Sequence, residues 1–184
     1  MKFDKLGAWI NTIGYPAAQL AGIAKRLEGW GYGTLWINDG FGSDPMVLAS
    51  HLLTGTTRLQ LATGVANVYG RDPMAMVGAQ YALNELSGGR FLLGIGISHP
   101  FIVEGMRGHE YRKPVTTMKA YLEAMAAIEY SGPPLAEKPP TVIAALGPRM
   151  LELAAAMADG AHPFATTPEH TAQAREILGP DKLL

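Results

Sequence analysis

The stretch LQLATGVANVYGRDP, residues 59–73, contains the pattern that decides the fold. Residues 59–65 are apolar enough to form a strand that is buried on both faces, as in a parallel sheet. The small residues 64–67 show no helical spacing and predict a turn after this strand. Asp72 followed by Pro73 predicts a helix start, because aspartate caps a helix and proline fits its first turn. The strand thus leads through a loop into a capped helix, and α/β proteins bind ligands at such loops.

The same order of strand, loop and helix recurs along the whole chain. Strands are expected at residues 6–10, 34–37, 59–65, 91–97, 141–146 and 160–164. Helices are expected from residue 16 to about 29, and at residues 46–53, 73–86, 116–128, 148–157 and 168–178. A longer connection occupies residues 101–114, and a proline-rich link occupies residues 132–140. Six strand–helix units in strict alternation predict a parallel sheet with right-handed crossovers.

The glycine pattern distinguishes between the two common architectures of this class. No G-x-G-x-x-G motif opens a helix directly after the first strand, which argues against a Rossmann dinucleotide-binding domain. We therefore expect a (β/α)8 barrel. A closed barrel needs eight strands, so two are absent from this sequence. The expectation is an incomplete α/β barrel that forms one domain over residues 1–184.

Composition excludes several other classes of protein. The chain has 184 residues, is 48% hydrophobic and 17% charged, and carries a formal net charge of -1, which fits a folded domain and gives no basic field for nucleic acid. It contains no cysteine, so it has neither disulfides nor thiolate ligands. No apolar run approaches the roughly 20 residues of a membrane helix, and the N-terminal one is too short for a signal peptide. The histidines show no metal-ligand spacing. We expect a cytoplasmic protein without a metal.

Three motifs in order make the chain resemble a known family. They are TGVANVYGRDP at residues 63–73, FLLGIGISH at 91–99 and ALGPRMLELAAAMADGAHP at 145–163. They are similar to the bacterial luciferase-like monooxygenase superfamily, and most of all to its deazaflavin-dependent oxidoreductase branch, which uses coenzyme F-420. The resemblance covers essentially the whole chain and implies a (β/α)8 barrel of the luciferase-like type. What is absent corresponds to the C-terminal third of such proteins.

The resemblance implies hydride transfer between coenzyme F-420 and a small organic substrate. An FMN-dependent monooxygenase of the same superfamily is the first alternative. A non-catalytic relic that only binds the cofactor is an alternative of another class, because two barrel strands are absent.

Within the first motif, the resemblance assigns a cofactor-binding role to three residues. The family often has a non-proline cis peptide, behind a flat isoalloxazine-like ring, at the position of Gly64 and Val65. Val65 would back the ring with an apolar side chain, and Asn67 would contact the ring edge. The alternative is an ordinary glycine turn after a buried strand.

The other two motifs supply further cofactor-binding candidates. Gly96 and Ser98 follow the fourth strand, where a glycine lets a ring or chain approach the backbone and the hydroxyl can donate a hydrogen bond; tight internal packing explains these glycines equally well. Gly147, Pro148, Arg149 and Met150 begin a helix, whose N-terminus favours an anion such as a phosphate. The alternative there is a plain helix start with a solvated arginine.

Three residues are candidates for catalysis. Asp39 follows the second strand, where deazaflavin-dependent relatives often carry an Asp-His pair; here Gly40 replaces the histidine. His99 and His162 end the fourth and sixth strands, and an ordinary histidine pKa near 6.5 suits proton transfer. Each of the three could instead have a structural role.

The two absent strands also bear on assembly. They would leave the first and sixth strands as open edges of the sheet, and unpaired edges invite pairing with another chain. We therefore expect a homo-oligomer that covers the gap, or else poor solubility. The protein is expected to act on a small molecule and to bind neither nucleic acid nor membrane.

Overall fold

Strands and helices alternate along residues 3, 4 and 6–184, the part of the chain that this computed structural model describes. The strands are β1 (Gly7–Ile10), β2 (Thr34–Ile37), β3 (Gln60–Thr63), β4 (Ala66–Asn67), β5 (Phe91–Gly96), β6 (Thr141–Ile143) and β7 (Gly160–Ala161). The helices are α1 (Ala17–Gly29), α2 (Pro45–Thr54), α3 (Pro73–Ser87), α4 (Pro114–Ala126), α5 (Pro148–Met157) and α6 (Pro168–Leu178). All six predicted strand–helix units are present. Within the described part of the chain, every helix is too short or too polar to cross a bilayer.

The chain divides into two compact units. Unit 1 consists of Met1–Ala66, Gly78–Leu93 and Ser131–Pro140, and unit 2 consists of Asn67–Val77, Gly94–Tyr130 and Thr141–Leu184. Helix α3 and strand β5 each contribute residues to both units. The single domain over residues 1–184 stays a prediction.

Unit 1 contains a parallel sheet in which β2 lies between β1 and β3. In its register, Trp9 of β1 is opposite Trp36 of β2, which in turn is opposite Ala62 of β3. The neighbouring positions Leu35 and Leu61 project from the other face of the sheet and are fully buried. Strand β3 also pairs in parallel with the first residues of β5. Strand β5 is buried throughout and β3 is buried after its first residue, which agrees with the expectation of strands covered on both faces.

Unit 2 contains the end of β5 together with β6 and β7. The N–H of Ala144 donates to the carbonyl of Ile95 at 2.8 Å, and β6 pairs in parallel with β7. Leu183 then forms a parallel bridge with Gly160, and its carbonyl accepts the N–H of Ala161 at 3.0 Å. The open edge expected at the sixth strand is therefore wrong, because a residue of the same chain pairs with it.

Four elements differ from the sequence-based expectation, and of these β4 depends on a partner strand that is distant in the chain. Residues 66 and 67 were expected in a turn, but they form β4, which pairs with β5. The connection over residues 101–114 contains a π-helix, Phe101–Met106. The last two major strands are shorter than expected, since β6 ends at Ile143 and β7 at Ala161.

The predicted starts of α2 and α3 are confirmed by their caps, whereas α4 begins and ends two residues earlier than expected. The Asp44 carboxylate accepts the N–H groups of Met46 at 2.9 Å and Val47 at 3.1 Å. Asp72 accepts the N–H of Ala75 at 2.9 Å, and Pro73 follows it as the first residue of α3. Gly89, just beyond the end of α3, has a φ of 83°, which a residue with a side chain rarely adopts. Local sequence signals therefore fix where these helices begin and end.

Glu28, near the end of α1, holds the loop that enters β3. Its Oε1 accepts the N–H groups of Thr57 at 2.9 Å, Arg58 at 2.6 Å and Leu59 at 2.8 Å. Burial opposes ionisation of this carboxyl, but the three N–H donors and the charge of Arg58 outweigh it and lower the pKa of Glu28 to about 2. One ionised side chain thus satisfies three consecutive backbone donors that precede the strand.

Arg90 satisfies backbone acceptors in the same region. Its Nη1 donates to the carbonyl of Leu59 and its Nη2 to the carbonyl of Leu53, both at 2.9 Å. Its Nε donates to the carbonyl of Ser87 at 3.0 Å. The guanidinium therefore joins the end of α2, the entry of β3 and the end of α3 within unit 1.

We expect Glu28→Gln to lower the free energy of unfolding by about 1–2 kcal/mol at pH 7, because a neutral amide replaces a charged acceptor of three hydrogen bonds. The folded-state pKa of Glu28 lies below the ordinary value of 4.5, so its stabilising effect is present above pH 4.5 and is lost as the pH falls toward 2. Urea unfolding at pH 7 and pH 3 should therefore show a smaller difference between variant and parent at pH 3. Glu152→Gln, at an exposed position of α5, is the control. An equal loss of stability at both pH values would contradict the prediction.

Candidate cofactor site

In unit 1 the candidate residues lie where β2 and β3 end. Gly64 and Val65 directly follow β3, are half-buried, and are joined by a cis peptide bond, as the family resemblance implied. The carbonyl of Gly64 accepts a hydrogen bond from the indole Nε1–H of Trp9 at 3.0 Å. Trp9 was not among the residues expected from the sequence. The sequence signal that could have pointed to Trp9 is its large aromatic side chain within the short first strand.

Asn38 fixes the loops that follow β1 and β2. Its Oδ1 accepts the N–H of Thr12 at 2.8 Å and the hydroxyl of Thr12 at 2.9 Å. Its Nδ2 donates to Oδ1 of Asn11 at 3.3 Å, and that oxygen also accepts the N–H of Ile13 at 3.1 Å. Two neighbouring loops are thereby tied together at the carboxyl ends of their strands. Sequence analysis did not single out Asn38.

This arrangement explains the glycine next to Asp39. A Cβ at position 40 would lie 2.9 Å from Nδ2 of Asn38 and 2.9 Å from Cδ1 of Ile13, which is too close for a side chain without movement of both groups. A histidine at position 40, as in an Asp-His pair, would require the side chains of Asn38 and Ile13 to shift. Asp39 itself is half-buried at the end of β2 and stays a catalytic candidate without that partner.

Asn67 already has a structural contact. Its Oδ1 accepts the N–H of Tyr69 at 2.9 Å and so caps the short 3-10 helix Val68–Gly70. The residue is only 5% exposed. The side chain is therefore held by the backbone that follows it, and its expected contact with a ring edge stays a prediction.

In unit 2 a first group of candidates lies at the end of β5, whose last residue is Gly96. Gly96 is buried, and Ser98 is half-buried with a φ of 59° in the left-handed region. His99 is exposed, and its carbonyl accepts the N–H groups of Ile102 and Val103, both at 3.0 Å. The imidazole of His99 is accessible from solvent, while its backbone starts the π-helix.

A second group in unit 2 begins α5. Gly147, Pro148 and Arg149 are exposed, and no side chain of the described residues caps this helix. A Cβ built on Gly147 would meet no described atom within 4 Å, so the space beside the helix start is open. The N–H of Met150 donates to the carbonyl of Gly147 at 3.1 Å, and Met150 is only 9% exposed. Met150 therefore differs from the expectation, because its N–H is already bonded and its side chain packs in the core.

His170 positions the start of α5 and was also missed from the sequence. Its Nε2 lies 2.7 Å from the carbonyl oxygen of Leu146, the residue before Gly147. Its own N–H donates to the hydroxyl of Thr167, the cap of α6, at 3.3 Å. The starts of α5 and α6 are thus joined through one imidazole. Among the described residues, no group of three or more His, Asp or Glu side chains could hold a metal ion.

His162 differs from the acid–base group expected there. It follows β7, and its N–H donates to the carbonyl of Ile143 at 2.9 Å. Burial lowers the pKa of His162 from 6.5 to about 4. The imidazole is therefore neutral at pH 7. It can form hydrogen bonds in that state, but it is a poor general acid at that pH.

The comparisons with known proteins establish the family and the fold class. The family model described as luciferase-like monooxygenase matches residues 2–178, and the chain belongs to that family. The fold class predicted from the sequence is confirmed: an α/β fold of the (β/α)8 luciferase-like type, of which about six strand–helix units are present.

Two relatives and one solved structure are informative. The chain is 32% identical over 162 residues to 5,10-methylenetetrahydromethanopterin reductase of Methanolobus tindarius, which covers 79% of this chain and 49% of that protein. It is 27% identical over 205 residues to a Mycobacterium tuberculosis protein that bears the name coenzyme F-420-dependent oxidoreductase. That alignment covers 95% of this chain and 59% of the relative. The chain thus spans between about half and three fifths of these relatives.

The structure of the F-420-dependent tetrahydromethanopterin reductase of Methanopyrus kandleri superposes with a TM-score of 0.79 and 20% sequence identity. The superposition covers 96% of this chain and 60% of the other. At that identity it supports the fold alone.

The burial of His162 generates a prediction about acid stability. Its pKa in the folded protein lies below 6.5, so the unfolded chain takes up a proton first and stability is lost as the pH falls from about 6.5 toward 4. We expect His162→Gln to reduce this loss by about 1–3 kcal/mol, measured by urea unfolding at pH 7.5 and pH 4.5. His109→Gln, at an exposed position, should leave the loss unchanged. A His162→Gln variant with the parent's full acid sensitivity would rule out this residue as its source.

Proposed function

We propose that this chain is the cofactor-binding part of an oxidoreductase that transfers a hydride between coenzyme F-420 and a small organic substrate. The observation that supports this most directly is the similarity over 95% of the chain to a relative named for coenzyme F-420, together with the family match. Because the chain spans little more than half of its relatives, the activity and the substrate of the whole protein are part of the proposal.

The residues of unit 1 fit a flat ring. Gly64 and Val65 present backbone and a small apolar side chain at the end of β3, and both are half-buried. The indole of Trp9 lies beside them, held by the carbonyl of Gly64. Apolar side chains with a few fixed polar groups are what ring-binding sites generally offer. In this proposal Val65 backs the ring. Contact of Asn67 with a ring edge is a separate proposal, because Asn67 belongs to unit 2.

The residues of unit 2 fit an anionic group. The start of α5 combines an uncapped helix N-terminus, the positive charge of exposed Arg149 and open space beside Gly147. A helix N-terminus and a guanidinium both favour phosphate or carboxylate. Gly147, Pro148 and Arg149 are therefore proposed to hold the anionic part of the cofactor. Gly96 and Ser98, after β5, are proposed as further backbone and hydroxyl contacts.

When bound, the cofactor supplies the hydride chemistry, and the protein supplies position and electrostatics. Asp39 is proposed as the group that takes up or releases a proton at the end of β2. His162 is neutral at pH 7 and is proposed to hydrogen bond to a substrate carbonyl. Exposed His99 is the third candidate for contact with the substrate.

An FMN-dependent monooxygenase is the second candidate, and the description of the matching family favours it. Both cofactors carry a flat tricyclic ring and an anionic tail, so the same residues would serve either. A non-catalytic relic would bind the cofactor without turnover. An activity assay, carried out once binding is established, distinguishes this relic from both enzymes.

We expect the purified chain to bind coenzyme F-420 more tightly than FMN in parallel fluorescence titrations. Arg149→Ala should weaken binding by about 1.5 kcal/mol, roughly tenfold, because it removes a charged hydrogen-bond donor. The loss should shrink as salt rises, since salt screens the attraction. Arg26→Ala, an exposed arginine of α1, is the matched control. Unchanged affinity of a folded Arg149→Ala variant would remove the anion-binding role of α5, and tighter binding of FMN would favour the monooxygenase.

We also propose that the chain forms a homo-oligomer. Among the described strands, β1 pairs with β2 on one side and stands at the end of the sheet order. Leu6, the residue before this strand, exposes an apolar side chain, and such an edge favours pairing with a second copy. Sedimentation velocity over a range of concentrations should show a species heavier than 19.6 kDa. A variant with Leu6→Lys, which places a charge at this exposed apolar position, should be shifted toward the monomer. A parent chain that sediments as a monomer at every concentration would contradict the proposal.

A further inference from the structure

Trp9 makes a contact that links β1 to the residue after β3, although β2 lies between these two strands. Its indole Nε1–H reaches the carbonyl of Gly64 at 3.0 Å, although the two residues are 55 positions apart. In the register of the sheet, Trp9 lies opposite Trp36, which lies opposite Ala62, two residues before Gly64. Neighbouring strands are about 4.8 Å apart, so the indole extends across the width of β2 to reach the end of β3.

The positions of Trp36 and Gly7 leave space for the side chain of Trp9. A Cβ on Gly7 would lie 3.5 Å from Nε1 and 3.7 Å from Cδ1 of Trp36. The indole of Trp36 therefore leans back over the beginning of β1. The indole of Trp9 extends in the other direction, toward the carboxyl ends of the strands. The two tryptophans share one face of the sheet without occupying the same space.

The chemistry of the remaining surface is apolar. The polar atom of the indole is bonded to Gly64, yet Trp9 is 39% exposed. Its accessible side chain therefore consists of aromatic carbon, and half-buried Val65 is the residue next to its hydrogen-bond partner. A surface of this kind suits a flat ring, because indole and a second aromatic system attract each other when stacked or tilted. It suits an anionic group poorly.

We propose that Trp9 is a wall of the ring-binding site, with its aromatic face in contact with the flat ring and its orientation fixed by the carbonyl of Gly64. This inference rests on the proposed function, since it concerns the same cofactor. The role is one of binding and positioning. It predicts that the aromatic face, more than the indole N–H, determines affinity.

Three variants of the purified chain separate this role from a structural one. Trp9→Leu removes the aromatic face and the donor, whereas Trp9→Phe removes the donor and keeps an aromatic face. Trp30→Leu is the matched control, because Trp30 is 69% exposed at the end of α1. Dissociation constants are measured for coenzyme F-420 and for FMN, and the absorption spectrum of the bound ring is recorded at saturation.

We expect Trp9→Leu to weaken binding of the preferred cofactor about tenfold and to change the absorption band of the bound ring. Trp9→Phe should restore most of the affinity and the band, and Trp30→Leu should match the parent. Parent-like affinity and spectrum in a folded Trp9→Leu variant would overturn the inference and leave the proposed function intact. Equal losses in Trp9→Phe and Trp9→Leu would also overturn it, because they would assign the effect to the hydrogen bond. A parent chain that binds neither cofactor would overturn the proposed function and the inference together.

Discussion

The loop that leads into β3 depends on two charged side chains, Glu28 and Arg90, which form hydrogen bonds with its backbone N–H and carbonyl groups. Glu28 accepts three consecutive N–H groups, and Arg90 donates to the carbonyls of Leu53 and Leu59. Unpaired backbone groups at the end of a buried strand would cost much of its stability. Since β3 has only four residues, these contacts hold the chain within five residues of Gly64.

The two ends of the strands in unit 1 thus have different physical chemistry. At the amino end of β3, ionised groups are fully engaged with backbone, which stabilises the fold. At the carboxyl ends, Asn38 ties two loops together, and the half-exposed surface of Trp9 and Val65 is apolar. Parallel α/β folds commonly separate stability and ligand binding in this way. The proposed ring site lies at the end where side chains can vary without loss of the sheet.

In unit 2, too, the residues that hold the backbone differ from the residues that stay exposed. The contact of His170 with the carbonyl of Leu146 holds the residues before α5, while Arg149 and Gly147 stay exposed at its start. Met150 anchors the first turn in the core. A fixed helix start with an exposed cation gives a site for an anion at little cost in rearrangement.

The sequence by itself determined the elements that local chemistry controls. The Asp-Pro pairs at residues 44–45 and 72–73 set two helix starts, the glycines at 88 and 89 ended α3, and the alternation of strands and helices gave the α/β class and the family resemblance. Tertiary structure decided what depends on distant partners. Residues 66 and 67 became β4 only because β5 lies beside them, and Leu183 closed the edge of β7. Burial changed the pKa of His162 and removed Met150 from the exposed start of α5. Trp9 reached Gly64 across 55 residues for the same reason: a cap or a turn is specified by neighbours in the chain, whereas burial and strand pairing are specified by neighbours in space.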